Sequence, residues 1–186
     1  MLKVFVVILI LAALVVLWYV LTYNGLVKLR NLCDEAFSTM DVYMKKRYDL
    51  IPNLVESVKA YAKHEKETLE KITAARGAAA SAGSMAARAQ AESQLTDGLK
   101  GLFAIAENYP ELKANQNFLD LQRQLQKVEE DIANSRKYYN GTVRQYNTRC
   151  ESIPSNVVAS MAHFVKKELF EAGGAEVREN VKVDFN

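Results

Sequence analysis

The chain has 186 residues, 49% of them hydrophobic and 25% charged, with a net charge of +2. That length holds one modest domain and an anchor, and so small a charge excess excludes the basic footprint of a nucleic-acid binder. With only 3 prolines and 8 glycines, long helices are favoured over many short strands.

The first element runs from Val4 to Tyr23, "VFVVILILAALVVLWYVLTY", without a charged residue. At a rise of about 1.5 Å per residue this run spans about 30 Å, the thickness of a bilayer's hydrocarbon core. Trp18, Tyr19 and Tyr23 gather at its C-terminal end, where interface anchors belong. Lys3 alone precedes it and no small-x-small site follows. The pattern therefore predicts an uncleaved anchor over residues 1–23, touching membrane lipid through residues 4–23. Lys3 and the terminal amine lie on one side, and Lys28 and Arg30 on the other with Lys45, Lys46 and Arg47 just beyond; the balance leans, by about one charge, toward a cytoplasmic C-terminal domain.

After Asn24-Gly25 the spacing becomes helical. Cys33, Phe37, Met40, Met44, Arg47, Ile51, Leu54, Val58, Tyr61, Glu65, Leu69 and Ile72 recur at steps of three and four, one face of a single long helix. Such a helix would measure about 75 Å. Its other face is charged, with Lys66–Glu70 and Glu67–Lys71 four apart. The alanine-rich stretch 74–91 follows, and Gly77 and Gly83 mark the expected reversal. Leu95, Leu99, Leu102, Phe103, Ala106 and Tyr109 form a second stripe, closed by Pro110. The third opens at Asn115 or Asn117 as N-cap and runs from Phe118 to Cys150, ending at Ile153-Pro154. "SNVVASMAHFVKKELFEA" offers a short amphipathic helix with Val158, Met161, Val165 and Leu169 on one side. "VKVDF" reads as an extended end. The fold class is all-α: an N-terminal transmembrane helix, an antiparallel bundle of long helices over residues 24–172, and an extended tail over 173–186.

Chemistry is sparse in this sequence. His64 and His163 belong to no metal-ligand spacing, and no GxSxG, P-loop or GxGxxG occurs. Cys33 and Cys150 both fall on apolar stripes, as small hydrophobes do. A Cys150–His163 nucleophile pair and a di-iron centre both fail on spacing or position. The expectation is a protein that is not an enzyme and holds no cofactor or metal.

Several strings are more specific. "YNGLVKLRNLCDEAFSTMDVYMKKRYDLIPNLVESVKAYAKHE", "YPELKANQNFLDLQRQL", "IANSRKYYNGTVRQYN" and "IPSNVVAS" resemble the LemA family of small bacterial membrane-anchored helical proteins, from about Tyr23 to Phe170. Lys46-Arg47 stands where the family commonly has two arginines. The resemblance implies an N-terminal anchor, a four-helix antiparallel bundle and no established catalytic activity. A magnetosome-membrane relative suggests, by analogy, a role in organising membranes.

Within the first helix, Arg47, Tyr48, Asp49, Pro52 and Asn53 read as a shape-setting joint. Proline removes the donor for the carbonyl of Tyr48. The stripe stays in phase, which suits a kinked but continuous helix. A new helix capped by Asp49 remains the alternative. Arg47 either serves the freed carbonyl or a carboxylate such as Glu129 or Asp131, or snorkels outward.

The function expected is a membrane-anchored helical scaffold in a bacterial plasma membrane. It would form a homo-oligomer through Leu26, Leu29, Leu32, Ala36, Tyr43 and Leu50, an apolar face beyond what one seam needs. The alternative is an adaptor or sensor for another membrane protein, such as a protease or two-component kinase.

Overall fold

The computed structural model describes residues 1–62 and 64–171, and they form six helices with no strand among them. These are α1 (Leu2–Lys59), α2 (Lys66–Ser81), α3 (Met85–Glu107), α4 (Pro110–Lys113), α5 (Gln116–Glu151) and α6 (Ser155–Met161). The expected tail over 173–186 lies outside the described residues.

α1 is one uninterrupted helix of 58 residues, about 87 Å long. Its first part is long and apolar enough to cross a membrane, and every side chain from Val4 to Leu17 is exposed. The chain packs into two compact units, one formed by Met1–Thr39 with Ser135–Leu169, the other built on Met40–Asn134. α1 and α5 contribute to both.

In the second unit α2 and α3 pack on each other, and side-chain bonds tie α1 to α2, α3 and α5. Met44, Ile51, Leu54 and Val58 of α1 are buried, as are Leu69 and Ile72 of α2, Leu95 and Leu102 of α3, and Leu125 and Val128 of α5. The long helix expected from the stripe Cys33 to Ile72 is two elements. α1 ends at Lys59, and α2 folds back with Leu69 and Ile72 on its buried side. No proline or glycine marks this break. What fixes it is tertiary. Ala62 is buried, and the hydroxyl of Tyr61 accepts a hydrogen bond from Asn115 Nδ2 at 3.1 Å. Asn115 also accepts from the backbone N–H of Phe118 at 3.1 Å, so it is the N-cap of α5. The reversal between α2 and α3 lies at residues 82–84, with Ser84 capping α3 through Ala87 N–H at 3.2 Å. Gly83 is in that turn, but Gly77 is inside α2.

In the first unit α1 and α5 run antiparallel, with Phe37 against Tyr139 at 5.6 Å between ring centroids. The fourth amphipathic helix is shorter than its stripe suggests. α6 stops at Met161, His163 adopts a left-handed φ of 53°, and residues 164–171 are non-helical. This strap keeps its backbone satisfied with side chains of α5. Tyr146 donates to the carbonyl of Val165 and Tyr139 to that of Glu168, both at 2.9 Å. Asn147 grips Lys167 twice, donating to its carbonyl at 2.9 Å and accepting from its N–H at 3.0 Å. With these partners an extended backbone leaves fewer polar groups unpaired, and helix is not required.

α2 and α3 approach each other closely at Gly98, where an added Cβ would sit 2.9 Å from Ile72 Cγ1. Gly77 has open space around that position. Thermal unfolding monitored by circular dichroism should therefore separate two glycine-to-alanine changes. Gly77→Ala is expected to stabilise by about 0.5–1 kcal/mol through helix propensity alone. Gly98→Ala is expected to be net destabilising, because overpacking of about 1–3 kcal/mol outweighs that gain.

Candidate functional site

The most concentrated chemistry lies in the second unit, around Arg47. This guanidinium is 2% exposed. Its phase on α1 points it inward, between Met44 and Ile51. Nη1 donates to both carboxylate oxygens of Glu129 on α5, at 2.7 and 3.0 Å, and to Thr96 Oγ1 on α3 at 3.4 Å. Nη2 pairs with Glu92 of α3, which is itself buried. Tyr48 donates its hydroxyl to the other oxygen of Glu92. Burial pushes the Tyr48 phenol up, only partly offset by Arg47 and Arg88 nearby, so it stays a donor. One turn earlier, Arg88 pairs with Asp41 at 2.5 Å. Arg88, Glu92 and Thr96 share one face of α3 at steps of four, which is why a single helix supplies three members.

Removing either member of a buried pair leaves an uncompensated charge, at about 3–5 kcal/mol. A carboxylate taking one guanidinium and one phenol has its main acceptor directions filled by the protein itself. The side chain of Glu129 is 36% exposed. It lines a groove of about 420 Å³ between α3 and α5, with Lys100, Gln122 and Gln126 beside it. Two larger grooves flank the alanine-rich α2, about 800 Å³ on the α1 side and about 640 Å³ on the α3 side.

Pro52 lies inside α1 and is exposed. The carbonyl of Tyr48, which proline cannot serve, accepts from Arg76 Nε of α2 at 2.6 Å. A charged donor from the neighbouring helix thus replaces the missing backbone N–H.

The thiols are placed as hydrophobes are. Cys33 is buried and Cys150 half-buried, both unbridged. Burial raises the pKa of each, disfavouring the thiolate a nucleophile needs. Among the described residues no group of three or more His, Cys, Asp or Glu gathers to hold a metal.

The LemA family model matches residues 36–185. The chain belongs to the LemA family. It is also 26% identical over 160 residues to Protein LemA of Metamycoplasma hominis, covering 85% of this chain and 73% of that protein. The family match begins inside α1, after the apolar run, and extends past Phe170, the end of the resemblance read from the sequence.

Of the joint residues expected in this LemA chain, Arg47 and Tyr48 enter the charge cluster, while Asp49, Pro52 and Asn53 face outward. Asp49 caps nothing, because α1 continues through it. Arg47 reaches Glu129, one of the two carboxylates expected, and leaves the Tyr48 carbonyl to Arg76. Leu26 and Ala36, expected on a spare apolar face, are instead buried within one chain, whereas Leu29, Leu32, Tyr43 and Leu50 are half-buried. Glu92 and Arg76 were not expected. Each was legible as a charged residue in phase with its own stripe, Glu92 with Leu95 and Leu99, Arg76 with Ile72 and Ala79.

The Arg76–proline coupling is measurable. Arg76→Met should destabilise the full-length protein, and the loss should shrink by about 1 kcal/mol in a Pro52→Ala background, where alanine supplies the backbone donor. Purely additive effects in denaturant unfolding would sink this reading.

Tyr139 and Tyr146 are both pushed up to about 12, chiefly by burial. A raised pKa means that folding favours the protonated phenol. Their contribution is complete below about pH 10, the ordinary tyrosine value, and is lost as pH climbs toward about 12. Titration of tyrosinate absorbance should show a late step that shrinks in Tyr139→Phe and again in Tyr146→Phe. A late step unchanged by either substitution would contradict it.

Proposed function

We propose that this LemA-family chain is a non-catalytic scaffold, anchored in a bacterial plasma membrane and presenting its helical bundle to neighbouring copies. The carrying observation is α1. The apolar run and the first helix of the folded units are one continuous helix with no loop between them. A tether for a free-moving enzyme would be served by a flexible linker, and none separates anchor from bundle here. The polar cluster around Arg47 supports the same reading, since the Nη groups of Arg47 tie Glu92 and Glu129 together across three helices and so hold shape.

Self-association is assigned to the side chains that one chain leaves half-covered, Leu29, Leu32, Tyr43 and Leu50, with Val42 exposed among them. Confinement to a plane raises the effective concentration of copies, so weak lateral contacts count. Closed cyclic symmetry is the natural arrangement.

Light scattering of the detergent-solubilised full-length chain should give an oligomer that Leu29→Glu and Tyr43→Glu weaken. A strict monomer across a wide concentration range would end this reading. Crosslinking in intact membranes with mass spectrometry then separates scaffold from adaptor: like-to-like crosslinks fit a scaffold, and one other membrane protein in fixed ratio would replace it with an adaptor.

A further inference from the structure

The register of the first unit brings the α5–α6 turn level with the end of the apolar run. Phe37 packs on Tyr139, and Cys33 lies beside Thr142. Counting onward along two antiparallel helices brings Cys150 to about Leu26 and Ile153 to about Tyr23. Burial agrees with that count. Thr22, the next-to-last residue of the apolar run, is 4% exposed, and Leu26 is fully covered. The start of the strap is at the same level, for the ring of Phe164 lies edge-on to Tyr23 at 5.5 Å. Arg30 caps the same Phe164 ring at 5.3 Å.

At this level the chain displays apolar side chains. Ile153, Val157, Met161 and Val165, at every fourth position, are 86%, 52%, 65% and 78% exposed. The other side of α6, Ser155, Val158 and Ala159, is buried in the unit. From Ser152 to Val165 there is no Asp, Glu, Lys or Arg. A short helix that faced water would carry charge on its outer side. Charges resume at the borders of the segment, with Glu151 and Lys166 paired to each other and Lys167 paired to Asp34.

We infer that the stripe Ile153, Val157 and Met161 is inserted into the headgroup–acyl boundary of the same bilayer that α1 crosses, as a second membrane contact of the first unit. Apolar side chains at this depth, uncharged backbone around them and cations at the edge are the features of an interfacial segment. The aromatic residues Trp18, Tyr19 and Tyr23 mark the same boundary from α1. The inference rests on the membrane-anchored reading.

The test uses full-length protein in phosphatidylcholine vesicles with brominated acyl chains. Trp18 is the only tryptophan, so the native chain reports the anchor by itself. Trp18→Phe combined with Met161→Trp, or with Val157→Trp as an independent second site, reports the stripe. Trp18→Phe with Tyr138→Trp is the reference, since Tyr138 is an exposed residue of α5 roughly 20 Å beyond Tyr23 along the helix. Expected are blue-shifted emission and a bromolipid quenching loss at 161 and 157 similar to that of Trp18, with little loss at 138. Quenching at 161 and 157 no greater than at 138 would overturn the inference while leaving the anchor intact. Blue-shifted emission without quenching would also overturn it, by putting protein over the stripe. An unquenched Trp18 would remove the anchor and the inference together.

Discussion

Arg47 sets the terms for the second unit. A guanidinium withdrawn from water loses several kcal/mol of solvation even after the protein relaxes. Only carboxylates placed at the right height on other helices offset that loss. Glu92 on α3 and Glu129 on α5 meet it, and each must stand at one position along its helix to do so. An apolar core alone tolerates exchange and sliding among Leu, Ile and Met positions at modest cost. The charge cluster does not, so it fixes the register of three helices at once. Arg76 extends the same logic to α2, because its bond to the Tyr48 carbonyl exists only where Pro52 has left that carbonyl free.

The helical class and the faces of its longest elements were legible because burial repeats at the helical period. Met40 to Val58 in α1 and Phe118 to Tyr146 in α5 sit inward as their spacing demands. The break after Lys59 was not legible. Neither Tyr61 nor Ala62 is a helix breaker, and the chain turns there because Leu69 and Ile72 are buried by folding back, with Ile72 against Gly98 of α3. The only local trace is two successive steps of four, Tyr61 to Glu65 to Leu69, in a stripe that otherwise alternates steps of three and four. The end of α6 was hidden for a related reason. Val165 and Leu169 continue the period, but Asn147, Tyr146 and Tyr139 on a distant helix offer the backbone better partners than its own next turn. At the candidate site, Arg47 stood out as a charge on an apolar stripe. Its answer in Glu92 needed the same question to be asked of α3, and Arg76 was masked by the low complexity around it.

The first unit is held by a different chemistry. Its strap is fastened by phenol hydroxyls and one side-chain amide, all neutral at physiological pH, with the ion pairs confined to its exposed rim. Neutral donors suit a place beside a bilayer. They carry little of the desolvation cost that full charges would bring near hydrocarbon, and ionic strength does not weaken them as it weakens exposed ion pairs.

The composition of the two units also imposes an order on biosynthesis. Met40–Asn134 is contiguous, so its helices can meet as soon as they are made. Met1–Thr39 must wait for Ser135–Leu169. At about 5–20 residues per second that delay lasts roughly 5–20 s, during which Leu26, Cys33 and Ala36 have no mates. The nascent chain passes through that interval with its N-terminal helix already synthesised and the side chains that later meet Ser135–Leu169 still bare.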